Sequence, residues 1–471
     1  MTEPGRAPHP QGNNPDRQRP GDGAPLAQPH YAQAPLAPAS QPLAAPAYAA
    51  AGGTGAPGAP SPEYWMHAPP VKHRHKGTGL KVTNIILLCV LILVTAGTLT
   101  VFAWSIGVSV FLICGALAMI PLSICVAALV WIDRWEPEPK TALLLGFCWG
   151  AGMAVITTLI LGSWVQPLLL IASNASTDSD VIGAVVQAPL VEELCKGAGV
   201  LLLFFLRRRT FDGPVDGLVY AGIIAAGFAF TENILYFGNA WAEGDGLAGA
   251  LVGTFVMRGL MSPFAHVMFT GALGICVGYA ARRGGTAMVL GAWAVGLIPA
   301  MLLHGLWNGL TFIGGSFFVM YLMLQVPIFV SFIGVIVLLR RSEAKLTRER
   351  LADYVPSGWF SPQEVPMLAT GSGRRHALTW AKSFGAGPAM KELIRLATRL
   401  AFTRNRLLVD AKGAPGRAGA ARFTAAQAQE LELLNRSTAT RGELLGQHAA
   451  ALWRARQLQA SRYQPNWPPH S

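Results

Sequence analysis

From residue 82 to residue 339 the sequence is dominated by apolar runs of roughly 20 residues, each long enough to cross a bilayer as a helix. In lipid the backbone can satisfy its polar groups only as helices or as a closed barrel, and runs this long select helices. They fall at about 82–104, 108–132, 141–162, 181–206, 214–237, 248–281, 286–312 and 316–339. The expected fold is therefore all-α, a polytopic transmembrane helical bundle of about eight spans. Composition agrees, with 52% hydrophobic and 13% charged residues in 471.

The connections alternate in charge. Lys72 to Lys81, Arg134 with Lys140, Arg207-Arg208-Arg209, Arg282-Arg283 and Arg340-Arg341 mark every second one. Those between are bare or acidic, as at Ser105, Ser173 to Asp180, Ala242 to Asp245 and Gly314 to Ser316. Positive charge stays inside, so both termini are expected in the cytoplasm and the protein in the cell (plasma) membrane. The net charge of +12 is accounted for by these collars and a basic tail facing anionic lipid, and nucleic acid is not expected as a partner.

Residues 1–80 are rich in Pro, Ala, Gly and Gln, lack apolar periodicity and read as a disordered cytoplasmic leader. No apolar h-region opens the chain, so no cleavable signal peptide is expected. His67, His73 and His75 alternate with Lys72, Arg74 and Lys76 and read as a solvated basic collar. Residues 81–340 form the bundle, and 341–471 a basic, partly helical cytoplasmic tail with helices near 389–402 and 424–459. Residues 163–180 read as a re-entrant or interfacial helix. The six cysteines all sit in apolar runs without metal-ligand spacing.

Against this background a few polar residues are out of place. Glu192 and Glu193 lie side by side in the fourth run, with Lys196 three and four positions on and so on a shared helix face. A carboxylate at bilayer depth costs about 2.5–3.5 kcal/mol on insertion scales. One Glu with Lys196 would suffice as a helix lock, so the pair points to chemistry. The fifth run carries Glu232 and Asn233, the sixth Arg258 and His266, and the seventh His304 and Asn308 at i,i+4. Singly, each has a bland reading as interhelical glue or counter-ion. Jointly they place carboxylates and imidazoles on four consecutive spans.

Counted from the span ends facing away from the basic collars, Glu192 lies about 16 Å deep, Glu232 about 8 Å and His304 about 12 Å. His266 comes out at about 27 Å, deeper than the rest, unless Pro263 kinks its span or the helix begins later. Such a set suits general acid/base activation of water, or one divalent metal held by Glu and His.

Glu192-Glu193-x-x-Lys196, Phe228-x-x-x-Glu232-Asn233, Phe264-Ala265-His266 and His304-x-x-x-Asn308 resemble, in order, the motif set of the PrsW-type intramembrane proteases, relatives of the CAAX prenyl proteases and the ABI group. The resemblance covers about residues 80–340. CAAX enzymes typically carry a His where Glu232 stands, which separates this chain from prenyl-protein substrates. What the resemblance implies is endoproteolysis of a membrane protein, of the anti-sigma-factor type; loop charge and the depth count put the cut in a single-pass substrate near the outer leaflet. Glu192 or Glu193 would activate water, Glu232, His266 and His304 would assist, and Asn308 would donate to the oxyanion. Lys196, Asn233 and Arg258 would support them. If a divalent metal such as zinc takes part, Glu193, Glu232, His266 and His304 are its candidate ligands. With no HExxH motif, a metal-independent Glu/His mechanism is slightly favoured. The alternatives are an ion- or proton-coupled transporter, for which the sequence shows no internal repeat, and a catalytically silent scaffold, against which all motif positions are retained.

Overall fold

The computed structural model describes residues 77–173, 179–208, 211, 213–243, 249–283, 285–312, 317–413 and 417–462. The expected leader lies outside these residues up to position 76, as do most of the bare and acidic connections. Among the described residues the chain is helical, with no strand.

Helix α1 covers Gly77–Ile106 and α2 Val108–Asp133. Helix α3 starts as Lys140–Cys148, loosens into a π-helical turn at Trp149–Ala154 and continues as Val155–Ser173. Helix α4 comprises Ser179–Ile182, a π-helical turn at Gly183–Gln187, and Ala188–Arg207. Helix α5 is Pro214–Glu243, α6 is Ala250–Thr254 with a π-helical end at Phe255–Met261, α7 is Ala265–Arg283, and α8 is Thr286–Gly309. Helix α9 runs from Phe317–Met320 through a π-helical turn at Tyr321–Gln325 into Val326–Ala352.

Seven stretches of the described residues are long and apolar enough to cross a membrane. The eighth expected crossing is α4, whose Ala188–Arg207 part carries Glu192, Glu193 and Lys196. The chain is thus a multi-pass membrane protein.

Helix α5 sits at the centre, buried along most of its length, whereas α1, α2 and α9 expose long apolar faces suited to lipid. Glycine contacts let its neighbours close on it. A Cβ on Gly217 would lie 1.9 Å from the Gly274 carbonyl oxygen of α7, and one on Gly278 would lie 2.1 Å from that of Gly213. Against α3, a Cβ on Gly150 would meet the Ile224 carbonyl oxygen at 1.9 Å. Without a hydrophobic drive between helices in lipid, such backbone-to-backbone approach supplies dispersion contact that larger residues would prevent. The carbonyls freed by the π turn of α3 find hydroxyls: Thr231 Oγ1 donates to Ala151 O at 2.8 Å and Thr95 Oγ1 to Cys148 O at 3.1 Å.

Two elements depart from the sequence expectation. The stretch after residue 162 is no separate re-entrant helix, because α3 continues through Pro167 to Ser173. Trp164, Leu168 and Ile171 are exposed there, so the apolar run keeps a lipid-facing helical surface. The expected 248–281 span is instead divided. Ser262, with φ −128° and ψ 38°, leaves the helical region, as the residue before a proline tends to, and α7 restarts at Ala265.

The basic connections meet on one face. Arg207 Nη2 donates to Thr141 Oγ1 at 2.9 Å, Arg208 Nη2 to Thr286 Oγ1 at 2.5 Å, and Arg340 Nη1 to Ile132 O at 2.6 Å. Beyond this face α9 leads, without interruption, into a helical appendage. It contains α10 (Glu364–Ala369), α11 (Gly371–Lys382), α12 (Gly387–Gly413) and α13 (Arg417–Arg462). Leu351, Tyr354, Trp359, Leu393, Leu400 and Leu433 belong to its own apolar core. Tyr354 donates to the buried carboxylate of Glu430, and Arg404 lies 3.7 Å from the same group.

The glycine contacts give a first expectation. Gly217→Ala should destabilise the bundle by about 1–3 kcal/mol through overpacking, because the obstruction is backbone on both sides. Gly253→Ala, with nothing within 4 Å of the new methyl group, should be neutral. Thermal unfolding of both variants in detergent checks the difference.

Candidate active site

The central part of the bundle holds a buried polar cluster built by α4, α5, α7 and α8. Lys196 is its hub. Its ammonium, fully enclosed, lies 2.6 Å from Glu193 Oε1 and 3.2 Å from Glu192 Oε2. It also lies 3.2 Å from His266 Nδ1 and sits over the Phe228 ring at 4.4 Å. An ammonium has donors alone, so Nδ1 of His266 accepts here. The other imidazole nitrogen of His266, Nε2, then carries the proton and donates to Glu232 Oε2 at 2.9 Å. Glu232 in turn is paired with Arg258 at 2.6 Å, while Arg258 Nε donates to Asn233 Oδ1 at 3.0 Å and the guanidinium stacks on Tyr236.

His304 is oriented in the same fashion. Its Nδ1 lies 3.0 Å from Glu193 Oε1, and donation there leaves Nε2 as an acceptor. That nitrogen faces Glu192 Oε2 at 3.8 Å, so two lone-pair-bearing atoms confront each other across a gap. The ring of His304 stacks on Phe269 and meets His266 edge-on. Glu193 also accepts from Thr270 Oγ1 at 2.8 Å. Its two oxygens are thereby occupied, whereas Glu192 has only Lys196 within hydrogen-bond reach among the described residues.

The local folding explains how these groups converge. The break at Ser262 places His266 in the first turn of α7, about 26 Å along that helix from Arg283. Counted likewise from the arginine-rich face, Glu192 lies about 22 Å along α4, Glu232 about 27 Å along α5 and His304 about 27 Å along α8. The greater depth expected for His266 came from treating 248–281 as one helix. On α4, Trp149 Nε1 donates to Cys195 O at 3.0 Å and Trp293 Nε1 to Gly197 O at 2.9 Å, fixing the helix on either side of Lys196.

Of the residues singled out from sequence, Glu192, Glu193, Lys196, Glu232, His266 and His304 lie together, with Arg258 and Asn233 behind Glu232. Asn308 is apart: its Nδ2 donates to Ala184 O at 2.9 Å, in the π turn just before the Glu-bearing part of α4. Thr270 was missed, although its i,i+4 relation to His266 puts it on the same helix face.

Glu192, His266 and His304 bring one potential ligand atom each to within 4.8 Å of one another, a donor set suited to a divalent cation. Glu193 and Glu232 stand behind the two imidazoles, as carboxylates do behind metal-binding histidines. The trio shares His266 and His304 with the ligand set expected from sequence and adds Glu192, while His304 and Lys196 contact Glu193 and Arg258 contacts Glu232.

A bundle with such a centre is that of an intramembrane hydrolase, and comparison with known proteins agrees. Residues 138–332 match the profile of the PrsW family intramembrane metalloprotease. The Protease PrsW of Clostridioides difficile is 31% identical over 41% of this chain and 76% of its own length. Those of Geobacillus kaustophilus (29%, over 38% and 70%) and Oceanobacillus iheyensis (30%, over 33% and 68%) are similar. No solved structure matches. The chain belongs to the PrsW family and is a membrane protease.

Removing the Thr270 hydroxyl leaves a buried carboxylate oxygen short of a donor, which costs about 1–3 kcal/mol. If that cost falls on the reactive geometry, Thr270→Val should cleave about tenfold more slowly or worse, and Thr270→Ser should retain activity. Initial rates of the purified variants on a common substrate give the comparison.

Proposed function

We propose that the protein cuts a single-pass membrane protein, using Glu192 and His304 as the reacting groups, with His266 positioning Lys196 beside them. The observation carrying this reading is the gap between Glu192 Oε2 and His304 Nε2, at 3.8 Å. Two acceptors facing each other call for a donor between them, and a water molecule fits that need. Glu192 takes a proton from the attacking water at Oε2 and hands it to the departing amine nitrogen. Lys196 keeps both carboxylates in place and offsets their charge. Glu193, with Thr270, fixes the tautomer of His304, and Glu232, with Arg258, fixes that of His266. Asn308, committed to Ala184 O, contributes by holding the π turn that sets the entry of α4.

A second reading is favoured by the convergence of Glu192, His266 and His304 and by the family's description as metalloproteases. These three residues would hold a divalent cation, with Glu193 and Glu232 orienting the imidazoles. When bound, such a cation supplies Lewis-acid polarisation of the scissile carbonyl and a lowered pKa for water.

The side of attack follows from charge. We place the arginine-rich face, and with it both termini and the appendage, in the cytoplasm of a plasma-membrane protein. The cluster then lies nearer the outer leaflet, and the cut falls near the extracytoplasmic end of the substrate's span. On this reading the chain has three parts: a leader over 1–80, the protease bundle over 81–340 and a cytoplasmic appendage over 341–471.

Glu192→Gln and Glu193→Gln each keep shape and should insert normally. Loss of a general base at Glu192 should lower cleavage by about 10²–10⁴-fold. Cleavage of a reconstituted single-pass substrate by the two variants tests the assignment, and a wild-type rate in Glu192→Gln would overturn it. Chelation separates the two readings: activity lost to a chelator and restored by a divalent cation favours the second.

A further inference from the structure

Away from the cluster, at the arginine-rich face, a cavity of about 420 Å³ lies between the bundle and the appendage. It is lined by charges of both signs. Arg374 and Arg375 come from α11, with Arg340 and Arg341 from α9 beside them. Asp133, Glu136 and Asp216 come from the ends of α2 and α5 and from the loop after α2, and a fourth carboxylate, Glu343, from α9 itself. The floor is indole: the guanidinium carbon of Arg374 lies 4.1 Å from the Trp135 ring, and that of Arg340 lies 5.2 Å from Trp131. Tryptophans at this level are typical of a bilayer interface.

Arg374 is the least settled of these groups. Its Nε donates to Leu368 O at 2.5 Å and its Nη2 to Thr398 Oγ1 at 2.9 Å, but its buried Nη1 has no hydrogen-bond partner. Burial pulls its pKa down to about 9, with the nearby carboxylates of Glu136 and Glu343 opposing the shift.

A second hollow, of about 260 Å³, borders the first at Asp133, which lines both. It lies between α2, α3 and α5 and is lined by Leu129, Val130, Leu143, Leu144, Phe147 and Val219. Val130 and Leu144 are exposed on its lipid-facing rim. From Asp133 back to Val126 it extends about 10 Å, at bilayer depth.

A charged cavity and an apolar groove that meet at Asp133, at the membrane boundary, together have the outline of one lipid molecule. We infer that this junction binds a single glycerophospholipid from the surrounding bilayer, one whose headgroup carries both a phosphate and a primary amine. The phosphate meets the arginines of α11 and α9, where the forked guanidinium suits its oxygens. The ammonium meets the carboxylates of the same cavity. An acyl chain follows the groove along Leu144 and Phe147. A simple anion would face as many carboxylates as arginines, and a quaternary amine would offer those carboxylates no N–H. The lipid would tie the appendage to the bundle by touching both.

The test uses the full-length protein, stripped of lipid in mild detergent and examined by native mass spectrometry with defined lipids added. Phosphatidylethanolamine should be retained at least about fivefold more strongly than phosphatidylcholine or phosphatidylglycerol. Leu144→Trp, which fills the groove from its lipid-facing rim, and Arg375→Gln, at an exposed position, should each weaken retention about fivefold without changing the thermal midpoint. Millimolar inorganic phosphate should not displace the lipid. Equal retention of all three lipids, or variants that bind as the parent does, would reduce the site to ordinary boundary lipid and overturn the inference. Displacement by inorganic phosphate would overturn it too, leaving an anion site. Phosphatidylglycerol held as tightly as phosphatidylethanolamine would refute the role given to the amine.

Discussion

The ammonium of Lys196 is the contact on which the rest of the site depends. It is enclosed on all sides and touches both carboxylates, one imidazole and one aromatic face. Two carboxylates in a lipid-embedded bundle carry a large desolvation cost, and a single buried cation between them offsets much of it. It also imposes direction. By donating to Nδ1 of His266 it forces the other nitrogen towards Glu232, and by holding Glu193 it leaves that residue free to set His304. The positions of four helices are therefore written into one hydrogen-bond network. Glycine contacts between α3, α5 and α7 and the two indole hydrogen bonds to α4 keep those helices close enough for it to form.

Much of this was legible in the chain. Apolar run length set the helical bundle, because backbone polarity in lipid leaves few options. Glu192, Glu193, Glu232, His266 and His304 stood out for the same reason: an ionisable group among apolar ones is costly, and the cost is visible without coordinates. What escaped was local geometry. Thr270 and the indoles of Trp149 and Trp293 carry no charge and look like ordinary span residues. The partner of Asn308, a backbone carbonyl in another helix, has no signature in residue type. The end of α6 at Ser262 was signalled by Pro263, but a proline can kink a helix or stop it, and packing decides between the two.

The π-helical turns share a purpose. In α3, α4, α6 and α9 each inserts an extra residue into a turn and frees a carbonyl. In α3 and α4 the freed groups are met by side chains from other helices: Thr231 and Thr95 for the first, Asn308 for the second. Such turns rotate the helix beyond them, which is how Glu192 and Glu193 come to face His304 and not the lipid. The irregular backbone is permitted because protein, not hydrocarbon, surrounds it.

The continuity of α9 has a mechanical consequence. From Val326 to Ala352 it is a single rod of about 40 Å, one end among the membrane helices and the other anchored by Leu351 in the appendage core. A rod of that length is a lever: tilting it by about 5° swings its far end by about 3.5 Å, through simple geometry on that helical rise. Any rearrangement that makes room for a substrate beside α9 is thus converted into displacement of the appendage, and a load placed on the appendage is returned to the bundle by the same arm.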